Sequence, residues 1–127
     1  MQDEPTPVEL LTAVAAFLRD DIAPQLTGAS AFKLRVGINA LDLVVRQLTL
    51  AQASDAAEHE RLSALLAQDG SLLDLNRKLA EAIASGTVDL ATPGLAEHLW
   101  QTTMDKLAVD QPNYASYRRE LEREKSS

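Results

Sequence analysis

The chain of 127 residues has the length of one domain, and its 46% apolar and 24% charged residues are ordinary for a globular protein. It contains no cysteine, which excludes a disulfide framework, a thiolate metal site and a cysteine nucleophile. The formal net charge of -7 disfavours nucleic acid or an anionic membrane as a partner, because both require a basic surface.

Alanine and leucine dominate the composition and aromatic residues make up only 4% of it, which favours helices. We predict an all-α protein, a single domain over residues 1–127. It is expected to form an antiparallel bundle of about five helices around a central helix at residues 31–50. A charged, fraying tail is expected from about residue 120. Residues 1–7 lack the features of a signal peptide and no run is apolar enough to cross a membrane, so we expect a cytoplasmic protein.

The first predicted helix begins after Thr6, which forms a capping box with Glu9, and it ends before Pro24. Its buried face is expected to contain Leu11, Val14, Leu18 and Ile22, with Leu10 and Phe17 alongside.

The central helix has Ser30 as its expected N-cap and apolar residues on most of its circumference. We therefore expect neighbouring helices to cover most of its sides. The remaining arc is a polar seam whose members alternate at steps of four and three: Arg35, Asn39, Asp42, Arg46 and Thr49.

Three further helices are predicted after a fraying stretch at residues 51–53. One runs from Ser54 to about Gln68, and the next is capped by Ser71 and stopped by Gly86. Another begins at Thr92 and Pro93 and ends near Val109. The expected buried residues of the last two are Leu72, Leu75, Leu79 and Ile83, and then Ala96, Leu99, Trp100, Thr103, Met104 and Leu107. A short final helix is expected to dock through Tyr114, Tyr117 and Leu121.

Motifs of conventional enzymes and metal sites are incomplete in this sequence. His59 and Glu60 begin a zinc-protease motif, but Ser63 stands where the second histidine is needed. No glutamate stands three residues before either histidine, which excludes the ligand pattern of a ferritin-like di-iron bundle. Both His59 and His98 are therefore expected to face solvent. We expect no metal and no cofactor.

The polar seam is the main candidate for function, with two interpretations. In the favoured one, Asp42 and Arg46 pair at the surface and Asn39 bonds to a turn. In the other, Arg35, Asn39 and Arg46 are donors for an anion or a partner, because arginine grips carboxylates and phosphates with two N–H groups.

Residues 104–114 form the second unusual stretch. We interpret it as a helix end and a proline turn, with Tyr114 packing over the core.

Residues along nearly the whole chain match a pattern found in other proteins. They are Pro5, Glu9-Leu10-Leu11, Phe17-Leu18, Pro24-Gln25-Leu26-Thr27-Gly28, Ala31-Phe32, Arg35-Val36, Asn39-Ala40-Leu41, Arg46-Gln47-Leu48, and Lys106-Leu107-Ala108-Val109 through Pro112 and Tyr114. In these residues the sequence resembles a family of small uncharacterised bacterial proteins, although Gln111 stands where the family tends to have asparagine before its proline. Such proteins are often encoded beside aminoglycoside-phosphotransferase-like kinases and acyl-CoA dehydrogenases.

The resemblance implies an accessory role near acyl-CoA or phosphotransfer metabolism. Our leading hypothesis is a non-enzymatic protein that binds a partner protein, such as the neighbouring kinase or dehydrogenase. The alternative is a small-ligand binder or minor enzyme that holds an anion, such as a CoA phosphate, with Arg35, Asn39 and Lys106, and with Tyr114 nearby. A third hypothesis is a homodimer formed through an apolar surface patch.

Overall fold

A computed structural model describes residues 4–126, and within them the chain forms five α-helices and no strand. The predicted all-α class is therefore confirmed. The helices are α1 (Pro7–Phe17), α2 (Gly28–Leu66), α3 (Leu72–Ser85), α4 (Leu95–Asp110) and α5 (Ala115–Ser126). None of these described helices combines the length and the apolarity needed to cross a membrane.

The chain divides into two compact units, with the boundary inside α2 between Ala51 and Gln52. The first unit contains α1 and the first part of α2, and the second contains the rest of α2 with α3, α4 and α5. The single domain and the antiparallel order of the helices stay predictions.

Local chemistry at the start of α1 matches the prediction. The Thr6 hydroxyl accepts from the Glu9 N–H at 3.2 Å, and the Glu9 carboxylate accepts from the Thr6 N–H at 3.4 Å. After α1 the backbone continues as a π turn (Leu18–Ile22) and a 3₁₀ turn (Ala23–Gln25). Helical backbone therefore continues slightly past the end predicted before Pro24. Pro24 lies in the first turn of the 3₁₀ segment, where a backbone N–H is not needed for a hydrogen bond within the helix.

The buried face of α1 is narrower than predicted. Ala15 is buried, and Leu11, Leu18 and Ile22 are half-buried. Three residues assigned to the core are instead about half exposed: Leu10, Val14 and Phe17. A helix that is covered on one side buries only one stripe, which leaves the flanks of that stripe in water.

Helix α2 is longer than the predicted central helix at both ends. It begins at Gly28, so Ser30 lies inside the helix and the prediction that it is the N-cap was wrong. It also continues to Leu66 through the expected break at residues 51–55. Alanines occupy positions 51, 53, 56 and 57, and neither Gly nor Pro occurs between Gly37 and Gly70. Ser54 and Asp55 cost the helix less than about 0.7 kcal/mol each, which is too little to break it.

The expectation that most sides of the central helix are covered was wrong. Ile38 is buried, but a row of residues spaced four apart is exposed to water. We call this row the α2 ridge; its members are Phe32, Val36, Ala40, Val44 and Leu48. The row lies away from Ile38 on the helix, so the contacts that bury Ile38 do not cover it.

The second unit is built around a compact apolar core. Its members come from α2, α3, the connection after α3, and the start of α4: Leu62, Leu75, Leu79, Val88 and Leu95. Leu75 and Leu79 confirm the predicted stripe of α3, whereas Ile83 is 42% exposed. Ser71 caps α3 by accepting from the Asp74 N–H, and Gly86 ends α3 with a φ of 80°, both as predicted.

The start and the buried face of α4 differ from the prediction. The helix begins at Leu95, not at Thr92, because Gly94 has a φ of 92° and breaks the helical backbone before it. The residues that α4 buries are Leu95, His98 and Met104. Of the predicted core, Met104 is confirmed, whereas Ala96 and Thr103 are exposed, as are Leu99 and Trp100 at 41% and 46%.

Helix α5 docks through a buried Tyr117 and a half-buried Leu121, as expected. It remains helical through Ser126, and Arg123 pairs with Glu120 at 2.8 Å. Residue 127, the end of the predicted charged tail, lies outside the described residues. Tyr114 precedes α5 and is 49% exposed, so the prediction that it covers the core was wrong.

Candidate functional site

Two members of the polar seam line one concave surface. Arg35 and Asn39, both exposed, lie in a cleft of about 290 Å³ in the first unit. The cleft's other lining residues are Arg19, Ala23, Ala31 and Ile38. Arg35 and Asn39 are one helical turn apart, so both side chains reach this surface from α2.

Asp42 has a partner that helical spacing did not indicate. Nη2 of Arg19, on the π turn, donates to Oδ2 of Asp42 at 2.7 Å, and the two side chains are 48% and 36% exposed. An ion pair exposed to this degree contributes at most about 1 kcal/mol. The other arginine of the seam, Arg46, is half-buried.

The remaining predicted site residues belong to the second unit. Lys106 is exposed on α4, and Tyr114 follows the proline turn, where its N–H donates to the Gln111 carbonyl at 3.1 Å. The convergence of Lys106 and Tyr114 with Arg35 and Asn39 stays a prediction.

A cluster around His98 was missed by sequence reasoning. His98 is 3% exposed, so the prediction that it faces solvent was wrong. Nε of Arg61 donates to Nδ1 of His98 at 3.2 Å, and Nη2 of Arg61 donates to the Thr102 hydroxyl at 3.3 Å. The Asp105 carboxylate lies 4.0 Å from the same Nη2 atom. One arginine on α2 therefore contacts three polar side chains on α4.

Burial lowers the pKa of His98 below its ordinary value of 6.5, and the positive charge of Arg61 lowers it further. The carboxylate of Glu58 acts in the opposite direction. His98 is consequently neutral at pH 7. Because its Nδ1 accepts a hydrogen bond, the neutral ring carries its proton on Nε2.

The sequence contains a residue spacing that indicates this cluster. Leu95, His98, Thr102 and Asp105 follow steps of three, four and three, which is the spacing of one helix face. The large apolar Leu99 and Trp100 pointed to a neighbouring face instead. The other imidazole, of His59, is half-buried and bonds to the Gly70 carbonyl through Nε2 at 2.7 Å.

No group of three or more histidine, aspartate or glutamate side chains is arranged to hold a metal ion within residues 4–126.

A family model described as "Domain of unknown function (DUF6285)" matches residues 24–114, which is more than half of the chain. The matched span includes the α2 ridge, the polar seam and the His98 cluster. No curated protein and no solved structure matches the chain significantly.

Proposed function

Because the chain belongs to the DUF6285 family, described only as a domain of unknown function, we propose a function from its own surface. The proposal is a non-enzymatic accessory protein that binds another protein through the α2 ridge. The observation that carries it is the exposure of this apolar row in a chain long enough to have buried it.

The α2 ridge has the form of a helix-packing surface. Phe32, Val36, Val44 and Leu48 are 63%, 54%, 40% and 51% exposed. Together they leave an apolar patch on the order of 300 Å², which is comparable to the largest patch on a typical monomer, and such patches are often functional. A row of residues four apart is the ridge that packs into the groove of a second helix. Gly37 lies beside the row, and a Cβ there would meet open space, so a partner helix can approach closely.

Charge indicates what the partner carries beside its apolar stripe. By helical spacing Lys33 lies on the arc of the α2 ridge, whereas the one carboxylate of residues 28–51, Asp42, lies on the side of Ile38. A second copy of the chain would bring the same lysine to a symmetric contact. An amphipathic helix with carboxylates along its flanks complements this surface better.

The resemblance noted from the sequence supplies two candidates for the partner, an aminoglycoside-phosphotransferase-like kinase and an acyl-CoA dehydrogenase. Binding to either would connect the protein to phosphotransfer or acyl-CoA metabolism.

The test is a binding titration of each purified candidate against the wild-type protein and two variants. Val36→Asp places a carboxylate in the middle of the α2 ridge. We expect it to weaken binding at least tenfold, because a desolvated charge in an apolar contact is costly. Leu90→Asp is the matched control, since Leu90 is 80% exposed and lies outside the ridge.

Circular dichroism of both variants checks that the helices are intact. Equal binding by wild type and Val36→Asp would contradict the proposal, as would the absence of binding to either candidate at micromolar concentration. Light scattering on the wild type provides a further test, because a stable dimer that Val36→Asp dissociates would identify a second copy as the occupant instead.

A second candidate function is supported by the cleft that contains Arg35 and Asn39. This cleft could hold the anionic group of a small ligand such as CoA, with Arg35 as the charged donor. Calorimetry with CoA tests it: Arg35→Ala should abolish binding and Arg35→Lys should keep part of it. Binding that is unchanged in Arg35→Ala would exclude this role.

A further inference from the structure

The cleft in the first unit contains more donors than Arg35 alone. Its lining residues include two arginines and one asparagine, and none of them is acidic. Arg35 and Asn39 belong to α2, whereas Arg19 belongs to the π turn. Among the described residues, the side chains of Arg35 and Asn39 have no hydrogen-bond or ion-pair partner. Their N–H groups are therefore available to a ligand.

The π turn positions Arg19 at this cleft. Segments of π-helix are rare in proteins and frequently lie at functional sites. In this segment (Leu18–Ile22), Arg19 lines the cleft, and so does Ala23 about one turn later. The two carboxylates of the turn, Asp20 and Asp21, are exposed and do not line the cleft. The turn thus contributes a positive charge to the cleft without its own negative charges.

Asp42 holds Arg19 and leaves most of its donors available. Nη2 of Arg19 donates to Oδ2 of Asp42, and a guanidinium has further N–H groups beyond the one in this bond. Asp42 follows Asn39 by three residues on α2, and Arg35 precedes Asn39 by four. Asn39 therefore lies between Arg35 and the Arg19–Asp42 pair along the helix. An anion beside Asn39 meets two arginines and one carboxylate, which is a net positive charge.

We propose that this cleft binds a phosphate monoester that carries a compact apolar group. The phosphate accepts hydrogen bonds from Arg19, Arg35 and Asn39, and the apolar group lies against Ala31 and Ile38. A phosphate has three acceptor oxygens and up to two negative charges, so it satisfies donors from two elements better than a planar carboxylate does. The cleft volume of about 290 Å³ admits only a compact group.

This inference rests on the second candidate function above, because it assigns a ligand class and a second arginine to the same cleft. It uses no residue of the α2 ridge, so it does not depend on binding of a partner protein.

Side-chain amide NMR provides a direct test, because Asn39 is one of only three asparagines in the chain. The probes are phenyl phosphate, phenyl sulfate and inorganic phosphate. At about pH 8 phenyl phosphate is a dianion, whereas phenyl sulfate has the same shape and a single charge. Inorganic phosphate has no apolar group.

We expect phenyl phosphate to shift the Asn39 amide signals with saturation in the millimolar range while the Asn76 signals stay in place. The other two probes should bind more weakly by about fivefold or more, because each has lost one of the two recognised features. An equal affinity for either of them would overturn the proposal. So would the absence of a response to phenyl phosphate at tens of millimolar.

Arg19→Gln tests the second arginine. We expect it to weaken phenyl phosphate binding by about fivefold or more and to reduce the preference over phenyl sulfate. Arg77→Gln is the matched control, since Arg77 lies on α3 with its side chain 64% exposed, and it loses the same charge outside the cleft. Equal affinities of the two variants would show that Arg19 is not a donor.

Asp42→Asn keeps the test decisive if Arg19→Gln does not fold. The asparagine oxygen still accepts from Arg19, whereas the negative charge beside the cleft is lost. The Arg19 and Asp42 side chains are 48% and 36% exposed, so this isosteric change should leave the fold intact. We expect phenyl phosphate to bind several-fold more tightly. Unchanged or weaker binding would contradict the proposal.

The same measurements separate this inference from the CoA-binding role. If CoA binds through Arg35 and phenyl phosphate does not bind, the present inference is wrong and the cleft keeps its candidate function. If phenyl phosphate binds to the wild type but not to Arg35→Ala, and CoA does not bind, the inference holds and the CoA role is wrong.

Discussion

His98 is buried, and its burial together with the neighbouring Arg61 lowers the pKa of its ring. A proton added to Nδ1 would remove the acceptor for the Arg61 Nε–H group and place a second positive charge beside the guanidinium. Glu58 on α2 opposes this effect. Asp105 lies near Arg61, and Glu97 precedes His98 on α4. The lowered pKa of His98 shows that burial and Arg61 outweigh Glu58.

This lowered pKa predicts a pH-dependent stability. The unfolded chain takes up the proton near pH 6.5, whereas the folded protein takes it up only at lower pH. The contribution of His98 to the free energy of unfolding is therefore present above pH 6.5. It is lost as the pH falls from there through the lowered pKa.

Urea unfolding followed by circular dichroism between about pH 8 and pH 5 measures this loss. His98→Asn keeps an acceptor for Arg61 but cannot titrate, so the loss of stability across this range should be smaller in the variant. His59→Asn is the control for losing an imidazole elsewhere. If His98→Asn loses as much stability toward low pH as the wild type, this part of the pH dependence does not come from His98.

Two leucines of α3 provide a second prediction about single residues. Leu75 is fully buried in the core of the second unit, and Leu73, two residues earlier, is 69% exposed. Leu75→Ala should lower the free energy of unfolding by about 2–5 kcal/mol, because it removes buried methyl groups and leaves a cavity. Leu73→Ala should cost less than about 1 kcal/mol. Equal costs in urea titrations would contradict the position of the core.

At the scale of the elements, predictions from capping chemistry agree best with the structure. The Thr6 capping box, the Ser71 cap and the Gly86 stop are interactions within a few residues, so the sequence contains all of their determinants. The continuity of α2 was missed because Ser54 and Asp55 are typical N-cap residues. Whether such residues cap a new helix or lie inside a longer one depends on the helix formers around them.

The continuity of α2 can be measured at Ala53, an exposed residue in the predicted break. In the interior of a helix, Ala53→Gly should cost about 1 kcal/mol of unfolding free energy. In a frayed connection the same change would cost little. Ala91→Gly, in the connection before α4, is the comparison and should cost less. Equal effects of the two changes in urea titrations would indicate that α2 is interrupted near Ala53.

The face of α4 shows where sequence reasoning about the candidate site stops. Leu99 and Trp100 suggested a core face by their size, whereas the helix buries Leu95 and His98. Which face of α4 is buried depends on Arg61. This residue is 37 positions from His98 in the chain and donates a hydrogen bond to it. The Arg19–Asp42 pair, with a separation of 23 residues, was missed for the same reason.

At the scale of the whole molecule, the two units differ in how much they bury. In the described part of the first unit, the buried residues are Ala15 and Ile38. The second unit has a continuous core with the fully buried Leu62 and Leu75. Because local opening is easiest where few apolar side chains are buried, the first unit is expected to open at the lower free energy.

Native-state hydrogen exchange tests this difference along a single helix. Backbone amides of α2 near Ile38 should exchange faster than those near Leu62, although both lie in regular helix. A partner bound to the α2 ridge should slow exchange in the first of these regions. Uniform protection along α2 in the isolated protein would contradict the expectation.

Trp100 is the chain's single tryptophan, and almost half of its surface is exposed on α4. Its indole ring already contacts water in the folded protein, so its fluorescence should be quenched readily by iodide or acrylamide before any denaturant is added. The usual shift of emission to longer wavelength on unfolding should be small. A flat fluorescence trace during denaturation would therefore not indicate resistance to unfolding.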